Sequence, residues 1–66
     1  MNEWIEFKNI KPKKIGIFWV FFPNFKINIQ ANFWNGRAWQ DGKGNESLEA
    51  THYMEMELRK PEPPNE

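Results

Sequence analysis

Residues 15 to 22 read Ile-Gly-Ile-Phe-Trp-Val-Phe-Phe, an eight-residue run that is apolar throughout apart from its single glycine. β-Branched and aromatic side chains at consecutive positions suit a pleated strand, and apolarity on both faces predicts a strand covered on each side. The run is far short of the ~20 residues that a membrane-spanning helix needs. Gly16 inside it predicts a bulge or a close backbone approach. A chain built around such a strand needs further apolar strands beside it.

The flanking sequence supplies them. Trp4-Ile5-Glu6-Phe7 contains strand formers, and Pro12 ends any ladder that follows. Pro23-Asn24 breaks the central run. Phe25, Ile27, Ile29, Ala31 and Phe33 then alternate with Lys26, Asn28, Gln30 and Asn32, the two-residue period of a half-buried strand. Asn35-Gly36 is a two-residue hairpin signal of the type I′ kind. In that register Trp34 sits opposite Arg37, and Trp39 faces Asn32. Residues 41–45 are a polar loop. Leu48, Ala50, His52, Met54, Met56 and Leu58 alternate with Glu49, Thr51, Tyr53, Glu55, Glu57 and Arg59. A helix is the rival for this stretch, but its apolar stripe would be poor, so a strand is preferred.

The expected fold is all-β: one domain over residues 1–60, a small antiparallel meander of about five strands near 4–8, 15–22, 25–34, 37–41 and 48–58. Residues 61–66 form an extended or disordered proline-rich tail.

Sixty-six residues without cysteine cannot be stapled by disulfides, so stability must come from the core, a partner subunit, or both. Four Trp, six Phe and one Tyr provide large apolar area, each ring burying roughly 150–250 Å². Nine basic and nine acidic residues cancel. Residues 1–43 hold seven basic and three acidic side chains, whereas residues 44–66 hold two and six. The halves therefore either pair in the fold or give the surface two poles. No signal peptide pattern opens the chain, because Glu3 and Glu6 stand where basic residues would, and a cytosolic location is the default expectation.

Three stretches carry a family resemblance. Trp4-Ile5 is followed at Lys11-Pro12 by the central strand; Ala31, Phe33, Gly36 and Trp39 follow in the middle; and Thr51-His52-Tyr53-Met54 precedes Pro61-Glu62-Pro63-Pro64. This resembles a family of small, mostly phage and prophage proteins catalogued as domain of unknown function 551. Members typically open with Trp-Ile and close on Thr-His-Trp-Met-Pro-Leu-Pro-Glu-Pro-Pro. Here Tyr53 replaces the tryptophan, and Glu55 to Lys60 places four more residues before the proline cluster. The resemblance implies phage or prophage origin and no biochemical activity.

Catalytic chemistry finds little support. His52 is the sole histidine and reads as a packed or hydrogen-bonded residue; with no second His and no Cys, metal binding is not expected. Glu55 and Glu57 read as a solvated strand face, and Ser47 has no triad partners. No cofactor is expected, and the chain is expected not to be an enzyme. The expected function is protein binding, with inhibition of a host defence or replication factor as its concrete form. Trp34, Arg37 and Trp39 are the candidate anchors, with Lys26 and Tyr53 as further contacts and a host or phage protein as partner. A homodimer, paired at a sheet edge, is the other way to use such a surface. The runner-up is single-stranded nucleic acid, its phosphates tracked by Lys11, Lys13 and Lys14 beside aromatic platforms. A self-assembling structural role is the third reading.

Overall fold

A computed structural model describes residues 3–64, and the last two residues of the expected tail lie outside it. The fold is all-β and antiparallel. Its strands are β1 (Ile5–Glu6), β2 (Gly16–Phe21), β3 (Ile29–Trp34), β4 (Trp39–Gln40), β5 (Glu46–Ser47) and β6 (His52–Glu55). They form one sheet in the order β1-β6-β2-β3-β4-β5. β2 to β5 run as a meander; β6 then crosses back to lie between β1 and β2. The apolar run thus becomes β2, flanked by β3 and β6, as its composition requires.

One face of the sheet carries the main core. Phe18, Val20 and Phe22 meet Trp34, Trp39 and Tyr53 there, and Phe7 closes over them. Trp39 and Tyr53 stand on β4 and β6, three strand spacings apart, which is roughly 14 Å in a flat sheet. Their ring centroids are nevertheless only 5.7 Å apart. The sheet must therefore curl toward this face until aromatic side chains from its two sides touch. Phe7 sits in the curl, 5.4 Å from Trp34, 5.7 Å from Trp39 and 6.2 Å from Tyr53. The Tyr53 hydroxyl donates to the Ile10 carbonyl at 2.8 Å, which fixes the loop after Phe7.

Several expectations need correction. The β3 alternation is real but its burial is inverted in part: Asn32 and Trp34 face the main core, whereas Ala31 is exposed and Phe33 half-buried on the opposite face. The volume of Trp34 decides this, since its face also holds Phe18 and Val20. β3 begins at Ile29 rather than Phe25, because Phe25 turns back to stack on Phe22 at 4.6 Å. The Asn35-Gly36 connection is a four-residue loop, not a two-residue turn, and Trp34 pairs with Trp39 instead of Arg37. A type I′ turn needs positive φ at both central residues. Only Gly36 adopts it, at 95°, while Asn35 Oδ1 accepts the backbone N–H groups of Arg37 and Ala38, each at 2.8 Å. Gly16 makes neither a bulge nor a close approach: it pairs directly with Trp34, and a Cβ there would meet nothing within 4 Å.

The 48–58 stretch is not one strand, since only His52–Glu55 of it joins the ladder, as β6. Ala50 packs in the main core beside Tyr53, so strict alternation fails between them. Beyond Glu55 the chain leaves the ladder and crosses the second face. That face carries Trp19, Phe21, Ile29, His52 and Met54. The Trp19 indole N–H donates to the Glu57 carbonyl at 3.2 Å, and the Trp4 indole N–H donates to the Glu62 carbonyl at 2.8 Å. Pro61 is buried. The described part of the tail is thus a strap seated on the sheet.

Candidate functional site

Three of the five expected contact residues, two anchors and Tyr53, are core residues. Trp34 is 5% exposed, Trp39 0% and Tyr53 3%. Their curl-facing positions, reached through the Trp34–Trp39 register, remove them from any partner's reach. Arg37 and Lys26 are exposed, but they lie at opposite ends of β3 and do not form one surface. Arg37 is committed to Glu46, with Nη2 2.6 Å from Oε2. The same carboxylate accepts from Asn35 Nδ2 at 2.9 Å, and these donors, Arg37 foremost, hold Glu46 below its ordinary range.

The expected nucleic-acid lysines do gather. Lys11, Lys13 and Lys14 line a groove of about 550 Å³ with Ile15, Trp34 and Arg37 at the end of the sheet where β2 begins. Lys11, however, donates to the Phe7 carbonyl at 3.2 Å and lies 4.5 Å from the Phe7 ring centroid, so it braces the loop. Trp34 presents too little surface for a base to stack on it. The groove retains Lys13 and Lys14 as exposed cations without an ion pair among the described residues.

His52 bonds through Nδ1 to the Thr51 hydroxyl at 2.8 Å. Its ring stands edge-on to Trp4 at 6.4 Å and to Phe21 at 6.1 Å. Among the described residues no group of three or more His, Asp and Glu side chains is placed to hold a metal. No helix of the described residues is long and apolar enough to cross a membrane.

The surface that sequence reasoning missed lies on the second face of the sheet. The strap is tied to that face through Trp19 of β2 and through Trp4. Where Phe21 pairs with Ile29 that face is buried, but toward the start of β2 it opens, with Ile17 exposed beside half-buried Phe33 and exposed Ala31. Ile17 is 57% exposed and Ile15, just before β2, 62%. Met56, where the strap departs, is also exposed. The signal for this patch was the two-faced apolarity of residues 15–22, which requires more cover than one short tail provides.

The residues that carry the family resemblance also converge. Ile5 pairs with Tyr53 and Glu6 with His52, while Trp4 touches His52 and binds the Glu62 carbonyl. The opening and closing motifs thus form one clasp across 58 residues of sequence. Comparison with protein-family models, curated proteins and solved structures finds no match to this chain.

Proposed function

We propose that this chain is a non-catalytic protein-binding module, and that it docks through the open half of its second sheet face. The observation that carries this reading is exposed Ile17 beside half-buried Phe33 on two long adjacent strands, continued by exposed Ala31 and Ile15. Apolar residues scattered singly on a surface need no explanation, but contiguous ones on a rigid sheet suit an interface core. Lys13 and Lys14 border Ile15 at one end, giving the polar rim that interfaces have.

The edges suit this reading better than edge pairing. β1 and β5 are two residues long and each carries a glutamate, the features that discourage strand addition. A partner is therefore met by the face. The resemblance carried by Trp4-Ile5, Thr51–Met54 and Pro61–Pro64 extends this reading to a phage or prophage origin and a stoichiometric action on a host defence or replication factor.

Single-stranded nucleic acid is the second reading, supported by the lysine groove. Its weakness is that Trp34 is buried and Lys11 is engaged, which leaves two free lysines and no stacking plane between them. Binding of a labelled oligonucleotide at low and high salt separates the readings. The protein-binding reading expects weak binding with a shallow salt dependence. Tight binding that falls steeply with salt, and that is lost in Lys13→Glu/Lys14→Glu, would overturn it.

A further inference from the structure

We propose that the groove walled by Trp4, Trp19, Phe21 and His52 is a receptor for an extended proline-rich segment, and that a second copy of this chain can supply that segment through its own Pro61–Pro64. This site is on the strap-covered half of the second face and does not depend on the open half.

The chain's own segment shows what the groove accepts. Pro61 is buried, and the next carbonyl, that of Glu62, receives the Trp4 indole N–H at 2.8 Å. Upstream, the Trp19 indole N–H donates to the Glu57 carbonyl at 3.2 Å. Two tryptophans thus donate to main-chain carbonyls of a segment that adds nothing to the ladder. The Trp4 ring is in turn held edge-on by Phe21 at 6.2 Å and His52 at 6.4 Å. This is the chemistry by which proline-rich ligands are taken up elsewhere: a stiff segment lacking N–H donors lies on aromatic rings, and its carbonyls accept from side chains. Prolines at 61, 63 and 64 keep the ordering cost low because φ is already fixed.

The link to the body permits exchange. Residues 56–60 are all exposed, and Leu58 fully so. From Glu55 to Pro61 six residues can span about 20 Å when extended. The seated contacts are the same whether the segment comes from the same chain or another. Their balance then follows effective concentration, which is in the millimolar range for a short link. The wild-type chain accordingly keeps its own strap at micromolar concentration and exchanges near millimolar.

Two full-length variants test this. One is ¹⁵N-labelled and carries Pro61→Ala, Pro63→Ala and Pro64→Ala, leaving the groove whole. The other is unlabelled Trp4→Phe, with its tail whole and its indole donor removed. On titration, the Trp4 indole N–H resonance of the labelled chain is expected to move saturably toward its wild-type position. The apparent affinity should fall at least ten-fold when the unlabelled chain also carries the three alanines. A synthetic peptide of residues 58–64 should reproduce the shift, and its alanine counterpart should not. No movement at several millimolar, or equal movement with the alanine-bearing chain, overturns the proposal. Binding of an unrelated proline-rich peptide without binding of residues 58–64 also overturns it. Circular dichroism checks folding; if the triple variant does not fold, Pro61→Ala alone takes its place under the same outcomes.

Discussion

Trp39 is fully buried, yet its indole Nε1 is the one buried side-chain nitrogen or oxygen among the described residues without a hydrogen-bond partner. Its neighbours are rings: Phe7, Phe18, Trp34 and Tyr53 all lie within 6 Å by centroid. A donor among aromatic faces can only point at π density, a weak substitute for an oxygen. The position is held by volume, so removing volume should be decisive. Trp39→Ala is expected to cost about 3–5 kcal/mol, against a total stability of about 3–10 kcal/mol for a chain of this length. Urea unfolding should show that variant largely unfolded and Trp39→Phe partly rescued. Tyr53 gives a second test. Burial raises its phenol above the ordinary 10.0. A group whose folded pKa is raised contributes stability that is complete below its unfolded pKa and lost as pH rises through the folded one. Alkaline denaturation should therefore be steeper for the wild type than for Tyr53→Phe. At neutral pH that variant should lose about 1 kcal/mol with its bond to Ile10.

Among the elements, the β3–β4 hairpin explains why the anchor reading failed. Asn35-Gly36 is a sound turn signal, and a turn does form there, but its length was set by the pairing it closes. A two-residue turn would have placed Trp34 against Arg37; the four-residue loop places Trp34 against Trp39, with rings 5.0 Å apart. Aromatic pairing across strands outweighs a preferred turn type, and only the assembled core reveals it. Gly36→Ala, at a φ of 95°, should cost roughly 1–2 kcal/mol in thermal or urea unfolding. The Glu46 carboxylate that ties this loop to β5 is held below its ordinary 4.5 by Arg37 first. Its contribution is present above 4.5 and lost as pH falls through the lower folded value. An NMR titration should find the Glu46 midpoint below 4.5 in the wild type and closer to 4.5 in Arg37→Ala. The central strand was legible from residues 15–22 because no other element tolerates that composition. Which apolar face of β3 would carry the core was not, since Phe33 and Trp34 compete on adjacent positions and only the curl selects between them.

At the scale of the molecule, the sheet closes one face on itself and leaves the other to a strap that is too short. A curl bringing Trp39 to Tyr53 hides six large aromatic side chains without disulfides. On that second face Met54 and Phe21 are buried, whereas Ile17 is exposed and Phe33 only half-buried. The proline cluster was readable as a strand terminator; its seat on Trp4 was not, because a contact across 58 residues leaves no local pattern. Charge was legible as a split and remains balanced in the whole chain, so association is left to apolar contact more than to long-range attraction. Ile17→Asp should leave the fold intact, shifting stability by less than about 1 kcal/mol, because the side chain is already exposed.

That variant also provides the most direct test of the docking surface. Wild-type chain and Ile17→Asp, matched for thermal midpoint, are used side by side to capture proteins from bacterial lysate. The expected result is a stoichiometric partner retained by the wild type and by Arg37→Ala but lost with Ile17→Asp. Capture of the same partner by Ile17→Asp, or its loss with Arg37→Ala alone, would contradict a docking surface centred on the Ile17–Phe33 pair.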